Sequence, residues 1–448
     1  MQTPEQARDL AHDLVSRALA AGASAADAVF ACDASTDVQI RLGALEDVQR
    51  SESAAIGLRV FDGMRSASVS GADVTAAGLA TLAERAVAMA RLAPEDAYAG
   101  LAPGELLARG PLPALDLDDE QDPDPALLRD LAERCEAAAR AVPGVTNSEG
   151  GSAGAVRSVM ALATSHGFVG SYGGSRYGIG ASVLAGAEGA MERDSASHTV
   201  RFLSDLESPE AIGRRAGERA VARLGAGKIS SGPMPVVFDR RAGGSLIGSL
   251  IGAISGSAIA RKTSFLLDKR GKAIFDSAVT ILDDPHRVRG LRSRSFDGEG
   301  LPTRPWRVID QGVLTGWMMD SAAARQLGEA PTGHAARGIS GAPATGASNL
   351  HMEAGQDSPE ALMAGIATGI YVTELIGMGV NGVTGDYSRG ASGFIIRDGA
   401  LAEPVSEITI AGNLIDMFAA LVPADDLKFR YAVNVPTLRI DGMVVASS

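Results

Sequence analysis

The chain has 448 residues, 46% of them hydrophobic but only 4% aromatic, with 54 glycines and a formal net charge of −13. That length suggests two or three domains, with cores built by close backbone packing rather than by aromatic clusters. An acidic chain without a basic run lacks the clustered Lys and Arg that phosphate backbones require, which argues against a nucleic-acid binder.

Thr3-Pro4-Glu5-Gln6 predicts a helix start, with Thr3 as N-cap and Gln6 closing a capping box. Leu10, Leu14, Ala18 and Ala21 follow at helical spacing, and Gly22 stops the helix. This acidic start has no long apolar core and does not read as a secretory signal. From 27 to 70 the period becomes two, in Val38, Ile40 and Leu42 and then Ile56, Leu58 and Val60, with Asp62-Gly63 as a hairpin turn. That pattern predicts an antiparallel meander with one buried face. A second helix is expected over 74–92, with Leu79, Leu82, Ala86 and Met89 on one face. Residues 93–125 are rich in Pro, Asp and Gly and read as an exposed connector, after which Asp122-Pro123-Asp124-Pro125 opens a helix to about Val142. Cys32 and Cys135 stand in no metal or redox spacing, so a reducing, cytoplasmic compartment is expected. Short strands with Gly and Ser turns are expected over 144–202, then a helix capped by Ser208-Pro209-Glu210 and ending near Gly225.

Gly232-Pro233 marks a boundary, giving regions 1–92, 93–231 (read as part of the N-terminal domain) and 232–448. Pro235 to Phe238 predict a strand. Ala242 to Ala260 carry no charge and contain Gly248-x-x-x-Gly252-x-x-x-Gly256, a spacing used for close helix packing in membranes. The run is Gly- and Ser-rich and of marginal length for a span, so a buried helix of a soluble core is expected. Mixed strands and loops follow over 263–320, including Ala278–Leu282 and Trp306–Trp317, then a polar, Gly-rich stretch from Gln326 to Leu350. Ser358-Pro359-Glu360 should cap a helix through Gly369. Tyr371–Ile376 reads as a strand, and Val433–Val445 closes the sheet. The fold class is α+β: an N-terminal helix/antiparallel-meander domain, then a C-terminal antiparallel, partly closed β-barrel-like domain with a buried Gly-rich helix.

Gly150-Gly151-Ser152-Ala153-Gly154 matches G-x-S-x-G, but strand-like segments on both sides favour a hairpin over a nucleophile elbow. Gly225-Ala226-Gly227-Lys228 departs from a phosphate loop at Ala222 and Ile229 and reads as a helix end. None of the six histidines sits in H-E-x-x-H. His334, His351 and Glu353 could form a ligand set only if the fold gathers them.

The stretch from Gly377 to Met417 is the most informative. Its glycines at 377, 379, 382, 385, 390 and 393 leave a nearly bare backbone. Gly393–Ile396 reads as a strand, Arg397-Asp398-Gly399-Ala400 as a hairpin turn, Leu401 to Val405 as the returning strand, and Glu407–Ile410 as a further short strand. On residue pattern alone this is a Gly-rich surface loop on a β-domain. Its order is Val383-Thr384-Gly385-Asp386-Tyr387-Ser388-Arg389-Gly390, then Gly393-Phe394, then Pro404-Val405 and Glu407 to Leu414. It resembles the PmbA/TldE branch of the TldD/PmbA family of zinc metalloproteases and their partner subunits, also known as the modulator of DNA gyrase family. The resemblance covers nearly the whole chain.

In the TldD branch, a helix after the first C-terminal strand carries His-Glu-x-x-x-His, which binds zinc, and a late cysteine adds a ligand. The matching segment here is Gly248 to Ala253. Gly248 and Ala253 stand in place of the histidines and Ser249 in place of the glutamate, and no cysteine follows Cys135. The resemblance therefore implies a subunit without its own metal or cofactor. Its partner would be a TldD-type zinc subunit, together forming a dimer that cuts unfolded or small peptides. Gly385, Asp386, Tyr387, Ser388, Arg389 and Gly390 are the candidate substrate-binding residues. Gly379 to Gly393 would offer a strand edge to an extended peptide. The alternatives are a self-sufficient metallopeptidase with an atypical site and a non-catalytic peptide-binding homodimer.

Overall fold

The computed structural model describes residues 1–187 and 189–447. Helix α1 (Pro4–Ala20) starts as the sequence dictates: the Thr3 hydroxyl accepts from the Gln6 amide, and the Gln6 side chain accepts from the Thr3 amide at 3.0 Å. Strands β1 (Ala25–Arg41), β2 (Ala44–Asp62) and β3 (Arg65–Gly71) form the meander. Helix α2 (Ala76–Leu92) buries Leu79, Leu82 and Ala86 as expected, but Met89 is 43% exposed. Ala83, Val87 and Ala90 complete the stripe, and Met89 falls at its edge at 100° per residue.

Helix α3 (Pro125–Arg140), strands β4 (Val145–Thr164), β5 (Val169–Ala185) and β6 (Glu192–Val200), and helix α4 (Pro209–Ala222) follow. The six strands make one antiparallel sheet in the order β3-β2-β1-β4-β5-β6. The short strands expected over 144–202 are in fact long ones, and Gly150–Gly154 lies inside β4 rather than in a hairpin turn. The small residues there serve packing: a Cβ on Gly151 would stand 2.5 Å from the Ala132 carbonyl oxygen of α3. Gly150, at φ +121°, sits at a register shift where β4 bulges.

Strand parity assigns the two faces of this sheet. Even-numbered residues of β1 face the helices. Ala26, Ala28 and Phe30 pack with α1 and α2, and Val38 and Ile40 with α3 and α4. On the opposite face Val29 joins Leu162, Phe168, Phe296 and Leu301, which ties the sheet to the C-terminal domain. The connector before α3 is less exposed than expected. Leu101, Ala102, Leu107, Leu115 and Leu117 are buried, and Ala102 and Leu107 belong to this same seam.

The C-terminal domain runs through β7 (Gly232–Phe238), α5 (Arg240–Ala253), α6 (Gly256–Ala260), β8 (Ile281–Asp283), β9 (Trp306–Asp310) and β10 (Val313–Leu314). Then come α7 (Ser321–Leu327), β11 (Ala335–Ala336), β12 (Ala344–Thr345), β13 (Leu350–Met352), α8 (Pro359–Met363) and β14 (Thr368–Ile376). It ends with β15 (Asp386–Arg397), β16 (Ala400–Asn413), α9 (Leu414–Ala419), β17 (Leu421–Pro423), β18 (Val433–Asn434) and β19 (Leu438–Ser447). Strands β16-β15-β14-β7-β19 close on themselves, because β16 also pairs with β19 from Ile408↔Ser447 to Ala411↔Val444. The barrel is antiparallel except between β7 and β14, which run parallel across the long excursion from 239 to 367. A second sheet, β10-β9-β8-β13-β18, packs into the same apolar cluster.

Three further expectations change. Helix α8 ends at Met363 rather than Gly369, because Gly369 pairs into β14 so closely that a Cβ would meet the Pro235 carbonyl oxygen at 2.8 Å. Residues 386–390 are strand rather than loop, and 400–413 form one strand rather than two short ones. The Ala242–Ala260 run is two helices broken at Ile254-Ser255. No described helix is long and apolar enough to cross a membrane.

The domain seam is also polar. Asp27 is buried and accepts from Arg59 Nε at 3.0 Å and from Arg337 at 2.7 Å. Gly57 of β2 lies so close to Ile339 that an added Cβ would overlap its carbonyl oxygen.

Candidate functional site

Helix α5 is anchored by its N-cap, Asp239, which accepts from the Arg241 amide at 2.9 Å and from the Tyr371 hydroxyl at 3.0 Å. Leu246, Ile247 and Leu250 turn into the barrel core. The opposite arc carries Ser245, Gly248, Ser249, Gly252 and Ala253, and it lines a cavity of about 470 Å³. The far wall is formed by Thr263, Phe265, Met378, Gly379, Val380, Gly382 and Arg389. The tertiary fold thus brings Gly248, Ser249 and Ala253 and part of the glycine-rich stretch to one cavity.

The close helix packing expected from Gly248-x-x-x-Gly252 is absent: an added Cβ at either glycine would meet nothing within 4 Å. Only Gly256, beyond the helix break, makes a close approach, 2.8 Å from the Ala323 Cβ.

Zinc does not fit this arc. Gly248 and Ala253 have no donor atoms, and the Ser249 hydroxyl is spent on the Ser245 carbonyl at 3.2 Å. A zinc hydrolase requires about three imidazole, thiolate or carboxylate ligands. Among the described residues, no group of three His, Cys, Asp or Glu is placed to hold a metal ion. His334, His351 and Glu353 are therefore not a metal centre. His334 is buried against Asp283 at 3.3 Å and Thr332 at 2.8 Å, His351 packs edge-on against Phe429, and Glu353 is exposed.

The six candidate substrate-binding residues divide. Gly385, at φ +82°, and Asp386 build a turn. The Asp386 carboxylate accepts from the Thr384 hydroxyl at 2.6 Å and from Asn413 at 3.2 Å. These bonds hold its pKa below the usual carboxylate range. Tyr387 points inward and is buried; desolvation pushes its phenol up to about 12, against the pull of the Arg389 cation. Ser388 and Gly390 are pairing positions. Ser388 donates its amide to the Gly379 carbonyl at 2.7 Å, and Gly390 pairs with Ile376 on one side and Thr409 on the other. The strand edge expected over 379–393 is thus already taken, by 376–381 on one side and β16 on the other.

Of the six, Arg389 alone lines the cavity. Its Nε is buried without an acceptor, and it makes no ion pair among the described residues. Arg389 and Ser245 also line a neighbouring cavity of about 560 Å³ that reaches Arg193 and Asp194 of β6. Ser245 and Arg389 are common to both walls, so the two cavities adjoin as a trough along α5. Sequence reasoning missed Phe265, Thr263 and Met378 as wall residues, because nothing local links them to 248–253. Met378 is 98% exposed at the rim, an apolar side chain offered to solvent.

Models of the PmbA/TldA metallopeptidase domain 1, central domain and C-terminal domain match residues 27–90, 118–224 and 231–447. The metalloprotease PmbA of Escherichia coli O157:H7 is 37% identical over 447 residues, which span 99% of this chain and 97% of that protein. A PmbA homolog of Haemophilus influenzae is 35% identical over 437 residues, 97% of this chain and 94% of that protein. In three dimensions, a Bacteroides thetaiotaomicron protein described as a candidate modulator of DNA gyrase superposes with a TM-score of 0.91. It is 29% identical, with full coverage of both chains. TldE of Thermococcus kodakarensis shares the fold, with a TM-score of 0.86 at 21% identity over 97% of this chain and 99% of that one. The chain belongs to the PmbA/TldD metalloprotease family, also called the modulator-of-DNA-gyrase family.

Proposed function

We propose that this chain is the metal-free, TldE-type subunit of a cytoplasmic two-chain peptidase, and that a TldD-type partner supplies the zinc and the hydrolytic step. One observation carries the reading: the helix face that holds metal ligands in the TldD branch is here stripped of donors, yet still opens onto a cavity of about 470 Å³. A helix kept only for packing would close that space with side chains. An open face suits a retained substrate channel, with Arg389 as the polar anchor for a peptide carbonyl or carboxylate. Peptide capture would use this trough rather than strand addition at β15. In this proposal residues 1–92 and 93–231 act as one N-terminal unit and 232–448 as the unit that carries α5 and Arg389.

The test is reconstitution. The untagged chain alone should contain no stoichiometric zinc and leave an unstructured peptide intact, and adding a TldD-type chain should produce a stable heteromer that cleaves it. Chelator-sensitive cleavage by the lone chain would refute the assignment and favour a self-sufficient enzyme. A stable homodimer that ignores the TldD-type chain would favour the peptide-binding homodimer.

A further inference from the structure

At the N-terminal end of α5 a separate pocket of about 130 Å³ lies between the two domains. Arg215 and Arg219 of α4 reach it from one side. Arg240 and Arg241 of α5, with Lys428 and Arg430, reach it from the other. The only acidic side chain in its wall is Asp239, already engaged as the cap of α5.

The charge balance behind this wall is incomplete. Glu207 pairs with both Arg215 and Arg430, Asp426 with Arg240 at 3.2 Å, and Asp194 with Arg241 at 2.8 Å. Arg219 and Lys428 have no carboxylate partner among the described residues. Arg219 donates only to the Ser195 carbonyl at 3.0 Å, and its neighbour Arg241 keeps a buried Nε with no acceptor. Two groups feel the neighbouring cations, second to burial, while the pKa of Arg241 itself, against its burial, is raised by the Asp194 carboxylate. Burial and then Arg241 hold the Arg219 pKa below its usual value; burial and then Arg430 and Arg215 do the same to His198.

We infer that this pocket is a binding site for a small phosphate-type oxyanion, free or as a phosphate monoester, that bridges α4 and α5 across the domain joint. Cations converging from opposite walls suit an anion with several acceptor oxygens. A bound anion would neutralise Arg219 and Lys428 together and fasten the two domains. Arg241 also lines the cavity of about 560 Å³, but no residue of this pocket lines the cavity beside Gly248, so the fate of the site is independent of the peptidase reading.

The experiment is calorimetric titration of the full chain with inorganic phosphate, with O-phosphoserine and with acetate, in wild type and in Arg219→Gln and Lys428→Gln. Variants are used only if their circular dichroism and anion-free melting match wild type. Saturable phosphate binding is expected, weakened about tenfold or more in each variant, with a phosphate-dependent rise in melting temperature that the variants lose. Tighter binding of O-phosphoserine than of phosphate would assign the site to an ester, and the reverse order to the free anion. Acetate binding equal to phosphate, no saturable binding, or unchanged affinity in both variants would overturn the proposal.

Discussion

Replacing Gly248 and Gly252 with alanine should stabilise the protein. Both sit in the 14-residue helix α5, and an added Cβ at either would meet nothing within 4 Å. Glycine inside a helix costs about 0.5–1 kcal/mol relative to alanine through backbone entropy. Gly252 lies one residue from the helix end and gains less than Gly248, so the double variant should gain about 1 kcal/mol. For a domain the size of 232–448 that corresponds to a rise in melting temperature of about 2–4 °C. Scanning calorimetry of the lone chain measures it. A fall in melting temperature would refute the reasoning, because it would mean that this face packs against something. The companion variant Gly248→Leu projects an apolar side chain into the cavity of about 470 Å³. It should keep the stability and lose peptide cleavage in the reconstituted complex.

Other outcomes follow from the same structure. Asp27→Asn leaves Arg59 and Arg337 buried without a charge partner at the domain seam, and should cost about 3–5 kcal/mol in a denaturant titration. Gly57→Ala drives a Cβ into the Ile339 carbonyl oxygen and should destabilise by about 2 kcal/mol or more, measured the same way. Glu299 is 4% exposed, and burial raises its pKa to about 7 from 4.5. The folded state therefore holds the proton more tightly than the unfolded chain, and this group's contribution falls as pH rises from 4.5 to about 7, a loss of roughly 3 kcal/mol. Glu299→Gln should flatten the stability profile across that window; an unchanged slope would show that Glu299 is not the titrating group. Metal analysis of the lone chain should find no stoichiometric zinc, since the α5 arc offers no donor set.

Local chemistry was sufficient to specify several elements. Thr3, Pro4 and Gln6 define the start of α1 by satisfying amide groups within one turn. The alternation from Val38 to Val60 defines the meander. Asp398 and Gly399, both at positive φ, define the hairpin between β15 and β16. That Gly248, Ser249 and Ala253 are not His or Glu, and that no cysteine follows Cys135, is also legible in the sequence alone. The tertiary structure decided where glycines act. Glycine in a sequence is silent between a turn, a close backbone approach and open space. Gly151 proved to be an approach to α3, Gly385 a turn, and Gly248 and Gly252 open cavity wall. The same holds for Arg389 and for the six cations near Asp239. Whether an arginine is paired depends on carboxylates such as Glu207, Asp194 and Asp426, which are brought close only when α4, β6 and the segment after β17 meet α5. Secondary structure follows from neighbours along the chain. A site depends on neighbours in space, and those exist only once the barrel has closed and docked against the sheet.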